Sequence, residues 1–283
     1  MGNAAFYQAD LERATAMYRE SLALRRDLGD RRGVAASLNN LGNTALMQGD
    51  LEGARPFLEE SLSIHRQMGN AALISISLAN LGAIAVQQDD YVRAVTLLEE
   101  AASRQRGLVD RKGLAITLST LGEALRRQGL LERARTALAE SLALARDLGI
   151  KRDVVVCLVN LAAIDGEQGK IVRARTLCGE GLAVARDINA QDLMLGALDC
   201  MAYLAYAEGR NERAIEIYGA VTTHRGAMGF PRSRRDSAEV DPVLQALRHA
   251  LGERQYAAAW SAGSAISLDR AVAYALNETA IMS

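Results

Sequence analysis

Leu41-Gly42-Asn43-Thr44-Ala45-Leu46-Met47-Gln48-Gly49-Asp50-Leu51-Glu52-Gly53-Ala54 is the stretch whose reading decides the fold, because the chain returns to it every 40 residues. Leu41-Gly42 recurs as Leu81-Gly82, Leu121-Gly122, Leu161-Ala162 and Met201-Ala202. Gly49 recurs as Gly129, Gly169 and Gly209, with Asp89 in the remaining place, and Ala54 recurs as Ala94, Ala134, Ala174 and Ala214. Such self-similarity marks a repeat array, in which each unit buries its apolar face on its neighbours. An array of this kind needs no common core, so 283 residues need not exceed the size at which single cores stop growing.

Within the unit, Val34, Leu38, Leu41 and Ala45 stand at i, i+4, i+7 and i+11, as do Ile74, Leu78, Leu81 and Ala85. That spacing is one face of an α-helix, here helix A. Gln48-Gly49-Asp50 ends it, with Gly suited to the left-handed position after a helix and Asp50 able to cap the next one. Helix B then runs from about Leu51 to Met68, turning Ala54, Leu58 and Leu62 inward, and Gly69, Gly149 and Gly229 close it. With three prolines and 4% aromatic residues, the composition suits helices and disfavours sheet. The predicted class is all-α, an array of helix pairs with a short helical C-terminal cap. Gly42 and Ala54 are small where the two helices cross, which predicts close backbone approach there. Pro56 predicts a kink in its helix B. Asp165 stands where Ala45, Ala85, Leu125 and Ala205 are apolar, and with Gly166 following it predicts early fraying of that helix A.

The first 30 residues align with residues 41–70, so the repeats begin part-way through a unit, and the expected solenoid spans 1–229 with further repeats or domains preceding it. After Phe230-Pro231 the period fails. Residues 230–240, with Arg232-Ser233-Arg234-Arg235, read as an exposed basic linker. Residues 241–279 read as capping helices: Asp241-Pro242 opens Val243 to Leu251, a second spans Glu253 to Ala262 with Tyr256 and Trp260, and Ser267 caps Leu268 to Leu276.

A formal charge of -1 and a pI near 6.4 provide no field for nucleic acid or an anionic membrane. No apolar run of membrane-spanning length and no basic signal-peptide start is present, so a cytoplasmic location is expected. Cys157, Cys178 and Cys200 lack CxxC spacing, and His65, His224 and His249 fall out of phase with them. Neither a disulfide framework, a metal site nor a nucleophile–base pair is indicated, and no cofactor is expected.

The Leu-Gly pair, the Gly turn and the recurrent Ala together resemble the tetratricopeptide repeat, in the 40-residue form found in Leu-Gly-Asn polarity adaptors and kinesin light chains. The resemblance departs from the common 34-residue form in length and in carrying Leu38, Leu78, Leu118, Leu158 and Leu198 where many repeats have Trp. It implies a right-handed superhelical solenoid of antiparallel helix pairs, with helices A lining the concave side, and a non-catalytic scaffold that binds a protein or peptide. The tail, Leu251-Gly252-Glu253, Ala258-Ala259-Trp260-Ser261-Ala262-Gly263 and Ala271-Val272-Ala273-Tyr274-Ala275-Leu276, resembles the C-terminus of LuxR- and AfsR-type bacterial regulators. That implies the sensory or partner-binding end of such a regulator, whose other domains are further candidate partners.

The expected binding face is the inner strip of the helices A, where Asn39, Asn40, Asn43, Asn80 and Asn160 are joined by Glu123, Arg126, Arg127 and Tyr203. Side-chain amides donate and accept, so a row of them can hold an extended backbone. The same amides can equally bridge adjacent helices A. The strip is neutral and amide-dotted rather than an aromatic pocket, which favours a peptide over a small-molecule effector.

Overall fold

The computed structural model describes residues 10–229 and 231–276. The partial first unit at Met1-Gly2-Asn3, Phe230 and residues 277–279 lie outside them. The chain forms two compact units, Met1–Ala137 and Leu138–Ser283.

Six helices of 17 residues each make up most of the first unit: α1 (Leu11–Asp27), α2 (Arg31–Met47), α3 (Leu51–Gln67), α4 (Ala71–Gln87), α5 (Tyr91–Gly107) and α6 (Arg111–Arg127). A further helix, α7 (Leu131–Asp147), contains the boundary between units. The length is uniform because the turn is uniform. After α2, Gly49 takes φ +77°, its N–H reaches Leu46 O and the Asp50 N–H reaches Ala45 O. Only glycine enters the left-handed region at little cost. Asp50 then accepts the Gly53 N–H at 2.9 Å, satisfying an otherwise orphaned donor of α3. Asp10, Asp30, Asn70, Asp90 and Asp110 do the same for α1, α2, α4, α5 and α6, so the repeat contains a 20-residue subrepeat.

The second unit holds α8 (Lys151–Glu167), α9 (Ile171–Asp187), α10 (Gln191–Ala207), α11 (Asn211–Met228), α12 (Arg234–Ser264) and α13 (Leu268–Ala275). Ile150, Lys170, Ala190 and Arg210 occupy the capping positions before α8 to α11 without a side-chain bond. Its apolar core is continuous from Val155 and Cys178 through Leu198, Met201 and Tyr218 to Leu247 and Val272.

Close approach of helices A and B is present, but Leu58 sets it rather than Ala54. A Cβ on Gly42 would stand 2.5 Å from Leu58 Cγ, and one on Gly82 would stand 2.6 Å from Leu98 Cγ. Helix α3 runs through Pro56 as one element. The fraying expected at Asp165 does not occur: α8 continues to Glu167 and Asp165 is 0% exposed. Its carboxylate meets Arg173 Nε at 3.1 Å, which supplies the counter-charge a buried carboxylate requires.

The tail also departs from expectation. Helix α12 starts at Arg234, capped by Ser233, and passes through Pro242, so residues 234–240 form helix rather than linker. Its one break is Gly252, at φ 75° and ψ 161°, which separates the two segments anticipated there. Arg232 is not a solvated basic residue. It reaches Asp199 Oδ1 at 2.6 Å and Thr222 Oγ1 at 2.9 Å, while Arg225 holds Asp199 Oδ2 at 3.0 Å. Val240, Leu247, Tyr256 and Ala259 are buried against the last repeat. Trp260 is half-buried, its ring stacked on Tyr256 at 5.9 Å.

Outside the core, the helices B of the first unit are tied by ion pairs, Arg26 to Glu60 at 2.7 Å, Arg66 to Glu100 at 3.1 Å and Arg93 to Glu59 at 2.6 Å. These are surface pairs, worth up to ~1 kcal/mol each. Between α3 and α5 they rim a cleft of about 420 Å³ over Leu62, Leu81 and Leu97.

Candidate functional site

In the first unit, α2, α4 and α6 each turn one stripe outward, fixed by the 3.6-residue period that sends Val34, Leu38 and Leu41 inward. The stripe reads Arg32, Ala36, Asn40, Asn43 on α2, then Ala72, Ile76, Asn80, Ala83 on α4, then Lys112, Ile116, Thr120, Glu123 on α6. The stripes lie side by side: Asn80 Nδ2 donates to Asn43 Oδ1 at 2.9 Å, joining α4 to α2, and α4 packs on α6.

The predicted residues therefore separate by role. One rung of the amide row, Asn80–Asn43, bridges two helices, yet it leaves the Asn80 Oδ1 acceptor and the Asn43 Nδ2 donors uncommitted. Asn40 keeps its whole side-chain amide uncommitted, while its backbone C=O accepts Thr44 Oγ1 at 2.8 Å. Asn39 turns its Oδ1 into the protein, where it is buried without a hydrogen-bond partner. Glu123, Arg126 and Arg127 sit half-buried near the end of α6 and already engage other groups.

Asn160 and Tyr203 belong to the second unit. Asn160 Nδ2 bonds back to Val156 O at 3.0 Å, within its own helix. Tyr203 lies against Gly166, where its ring would stand 3.3 Å from an added Cβ.

Two features of the stripe were not singled out as site residues by sequence reasoning. Ile76 and Ile116 are 42% and 47% exposed at matching repeat positions, an apolar row beside the amide row. Arg32 and Lys112, both exposed, begin the same lines. The signal was available in the doublets Arg31-Arg32 and Arg111-Lys112, each opening a helix A where cations oppose the helix dipole.

His65 is buried with Nδ1 3.1 Å from Ser77 Oγ, and its pKa is lowered by burial against the opposing pull of a backbone hydrogen bond to Leu73. Cys178 is buried, its pKa raised by a hydrogen bond to Cys200 and by burial. Tyr274 is pushed up to about 12 by burial and its hydrogen bond to Glu216. Among the described residues no group of His, Cys, Asp and Glu could hold a metal ion, and no helix is long and apolar enough to cross a membrane.

A chain of consecutive antiparallel helix pairs of uniform length is an α-helical repeat protein. The tetratricopeptide repeat family matches residues 1–67, 73–147 and 113–187, and the chain belongs to that family. Among solved structures it is similar to BtubC (BKLC) from P. vanneervenii, at 17% identity and a TM-score of 0.62, covering 79% of this chain and 94% of that one. It is also similar to a protein from Podosopora anserina classed with the kinesin light chains and built of nearly identical TPR-like repeats. There the identity is 16% and the TM-score 0.55, covering 67% of this chain and 93% of that one. A Rap protein complexed with competence and sporulation factor matches at 12% identity and a TM-score of 0.61, covering 94% of this chain and 85% of that one. No curated protein matches the sequence at a significant level.

Proposed function

We propose that this chain is a non-catalytic scaffold that holds a peptide or an extended protein segment on the outward stripe of α2, α4 and α6. The observation that carries the reading is the uncommitted amide of Asn40 beside the free Asn80 Oδ1, flanked by exposed Ile76 and Ile116. Amides hold a backbone whatever its side chains, and apolar neighbours select among sequences. The family fold, generally a scaffold, supports the same reading. The tail's resemblance to LuxR- and AfsR-type regulators supports a narrower one, in which the chain is the cytoplasmic sensory or partner-binding end of a bacterial signalling protein. The Rap protein's complex with competence and sporulation factor is a precedent for ligand capture on a similar fold.

The test is a display library of random peptides panned against the wild type and against the Asn40→Ala, Asn80→Ala double variant, with Asn160→Ala as control. Retained melting temperature with lost capture in the double variant, and unchanged capture in the control, is expected. Equal capture by all three proteins sinks the amide reading. Absence of any peptide, with calorimetric binding of a metabolite instead, turns the chain into an effector-binding domain.

A further inference from the structure

We infer, building on the reading above, that the segment held on this stripe is an acidic polyproline II stretch with an apolar side chain at every third residue. Three parallel rows cross the helices: cations at Arg32 and Lys112, apolar side chains at Ala36, Ile76 and Ile116, and polar groups at Asn40, Asn80 and Thr120. The step from one helix to the next along a row is the distance between packed helices, roughly 8 to 10 Å, and Arg32 and Lys112 stand two such steps apart, across Ala72. A ligand lying across the helices must repeat at that interval. Polyproline II advances about 9 Å per three-residue turn. A β-strand repeats its side-chain face every ~6.7 Å, and drifts out of step within one helix spacing.

Two turns of an α-helix also span about 11 Å, but an α-helix has satisfied its own backbone and leaves the amides nothing to hold. A polyproline II backbone has no internal hydrogen bonds, so its carbonyls remain open to Asn40 Nδ2 and Asn43 Nδ2. Neighbouring rows are four residues apart along a helix, about 6 Å, close enough for two columns of one three-sided ligand to meet two rows at once. One column meets the isoleucines, and the next lies toward Arg32 and Lys112.

Charge selects what that second column carries. Helices α2, α4 and α6 bear Arg31, Arg32, Arg111, Lys112, Arg126 and Arg127 against a single acidic residue, Glu123. Arg32 and Lys112 are exposed at the ends of the lines, so carboxylates on the ligand find them without displacing an existing pair. In the second unit α8 and α10 reverse the balance, with Lys151 and Arg152 against Asp153, Asp165, Glu167, Asp192 and Asp199. The cationic stripe is therefore particular to the first unit.

The experiment uses the full chain and four labelled synthetic peptides of equal length, read by fluorescence anisotropy at low and at physiological salt. The first repeats Leu-Pro-Glu; the second repeats Leu-Pro-Gln; the third alternates Leu and Glu; the fourth is an amphipathic helix of the same charge. The expected result is that Leu-Pro-Glu binds at least tenfold tighter than the alternating and helical peptides. It should bind several-fold tighter than Leu-Pro-Gln at low salt, and that margin should shrink as salt rises. The Ile76→Ser, Ile116→Ser variant should lose binding of both proline peptides. The Arg32→Glu, Lys112→Glu variant should lose only the preference for Glu over Gln. Equal or tighter binding of the alternating or helical peptide, still dependent on Asn40 and Asn80, overturns the conformation while leaving a peptide scaffold standing. The same holds if library peptides bind and Leu-Pro-Glu does not. If neither synthetic nor library peptides bind, both readings fall.

Discussion

Gly82→Ala isolates the contact that sets the distance between a helix A and its helix B. The new Cβ would stand 2.6 Å from Leu98 Cγ and 2.7 Å from Leu98 Cδ2. Carbon atoms rest at about 3.5 to 4.0 Å, so the pair is roughly 1 Å too close. Leu98 is 1% exposed and cannot swing into solvent. Overpacking of this kind costs about 1 to 3 kcal/mol, while replacing glycine by alanine inside a helix returns about 1 kcal/mol. The expected net effect is destabilisation by about 1 kcal/mol, too small to be decisive alone. The decisive measurement is a double-mutant cycle with Leu98→Ala, scored by urea midpoints at unchanged m-value. With the leucine gone the same methyl enters vacated space, and Gly82→Ala should then stabilise by about 1 kcal/mol. A coupling of about 2 kcal/mol is expected. Additivity within about 0.5 kcal/mol, the range shown by independent sites, would refute the steric account. The chain contains its own version of the compensated pair: Ala162 takes the glycine's place three repeats after Gly42, with the smaller Cys178 in the place of Leu58, and both are fully buried.

Val109 holds φ at +59°, where Gly29, Gly69 and Gly149 occupy the same turn at 68°, 66° and 69°. A β-branched residue is strained there by about 1 to 2 kcal/mol, so Val109→Gly should raise stability by about 0.5 to 1 kcal/mol in denaturant melts; a loss would show that the exposed valine contributes packing after all. His65 is held below its ordinary pKa by burial, so it takes up a proton less readily in the folded chain than in the unfolded one. Its contribution is complete above about pH 6.5, where the unfolded imidazole is neutral too, and it is lost as the pH falls through the lowered folded value. Melting temperature should therefore drop more steeply from pH 7.5 to 5 in the wild type than in His65→Gln, which copies the buried Gln105 one repeat on; parallel slopes would remove His65 from the acid sensitivity.

The repeat, its two helices and its turns were legible because several positions recur together at one interval. The 20-residue subrepeat came only with the structure, which shows Asp10, Asp30, Asp50, Asn70, Asp90 and Asp110 each capping a helix. What could not be read was set by partners outside the local helical pattern. Asp165 looked like a helix-breaker because its counter-charge, Arg173, sits on the next helix. Arg232 looked like a solvated linker residue because Asp199, which buries it, lies on α10. Pro242 looked like a helix start because nothing local reveals that Ser233 has already capped α12. In the candidate site, Asn40, Asn80 and Asn160 look equivalent in the repeat register. Only the structure separates a free amide, a bridging one and one folded back on its own helix.

The helix α13 bears on how such an array comes to a stop. It packs on α9, α10 and α11, with Leu276 against Gly179 and Arg213 holding Tyr274 O and, at 3.2 Å, Ala275 O. Three repeats earlier the same two positions are Glu59 and Arg93, paired with each other across the cleft between α3 and α5. With Gly179 in place of the carboxylate, Arg213 is left to the carbonyls of Tyr274 and Ala275, and this face of the repeat seats α13 instead of bracing two helices B. Because this seat is built from α9, α10 and α11, a repeat duplicated upstream of α9 would lengthen the array and leave the seat intact, whereas a unit copied in between α9 and α11 would separate α13 from it.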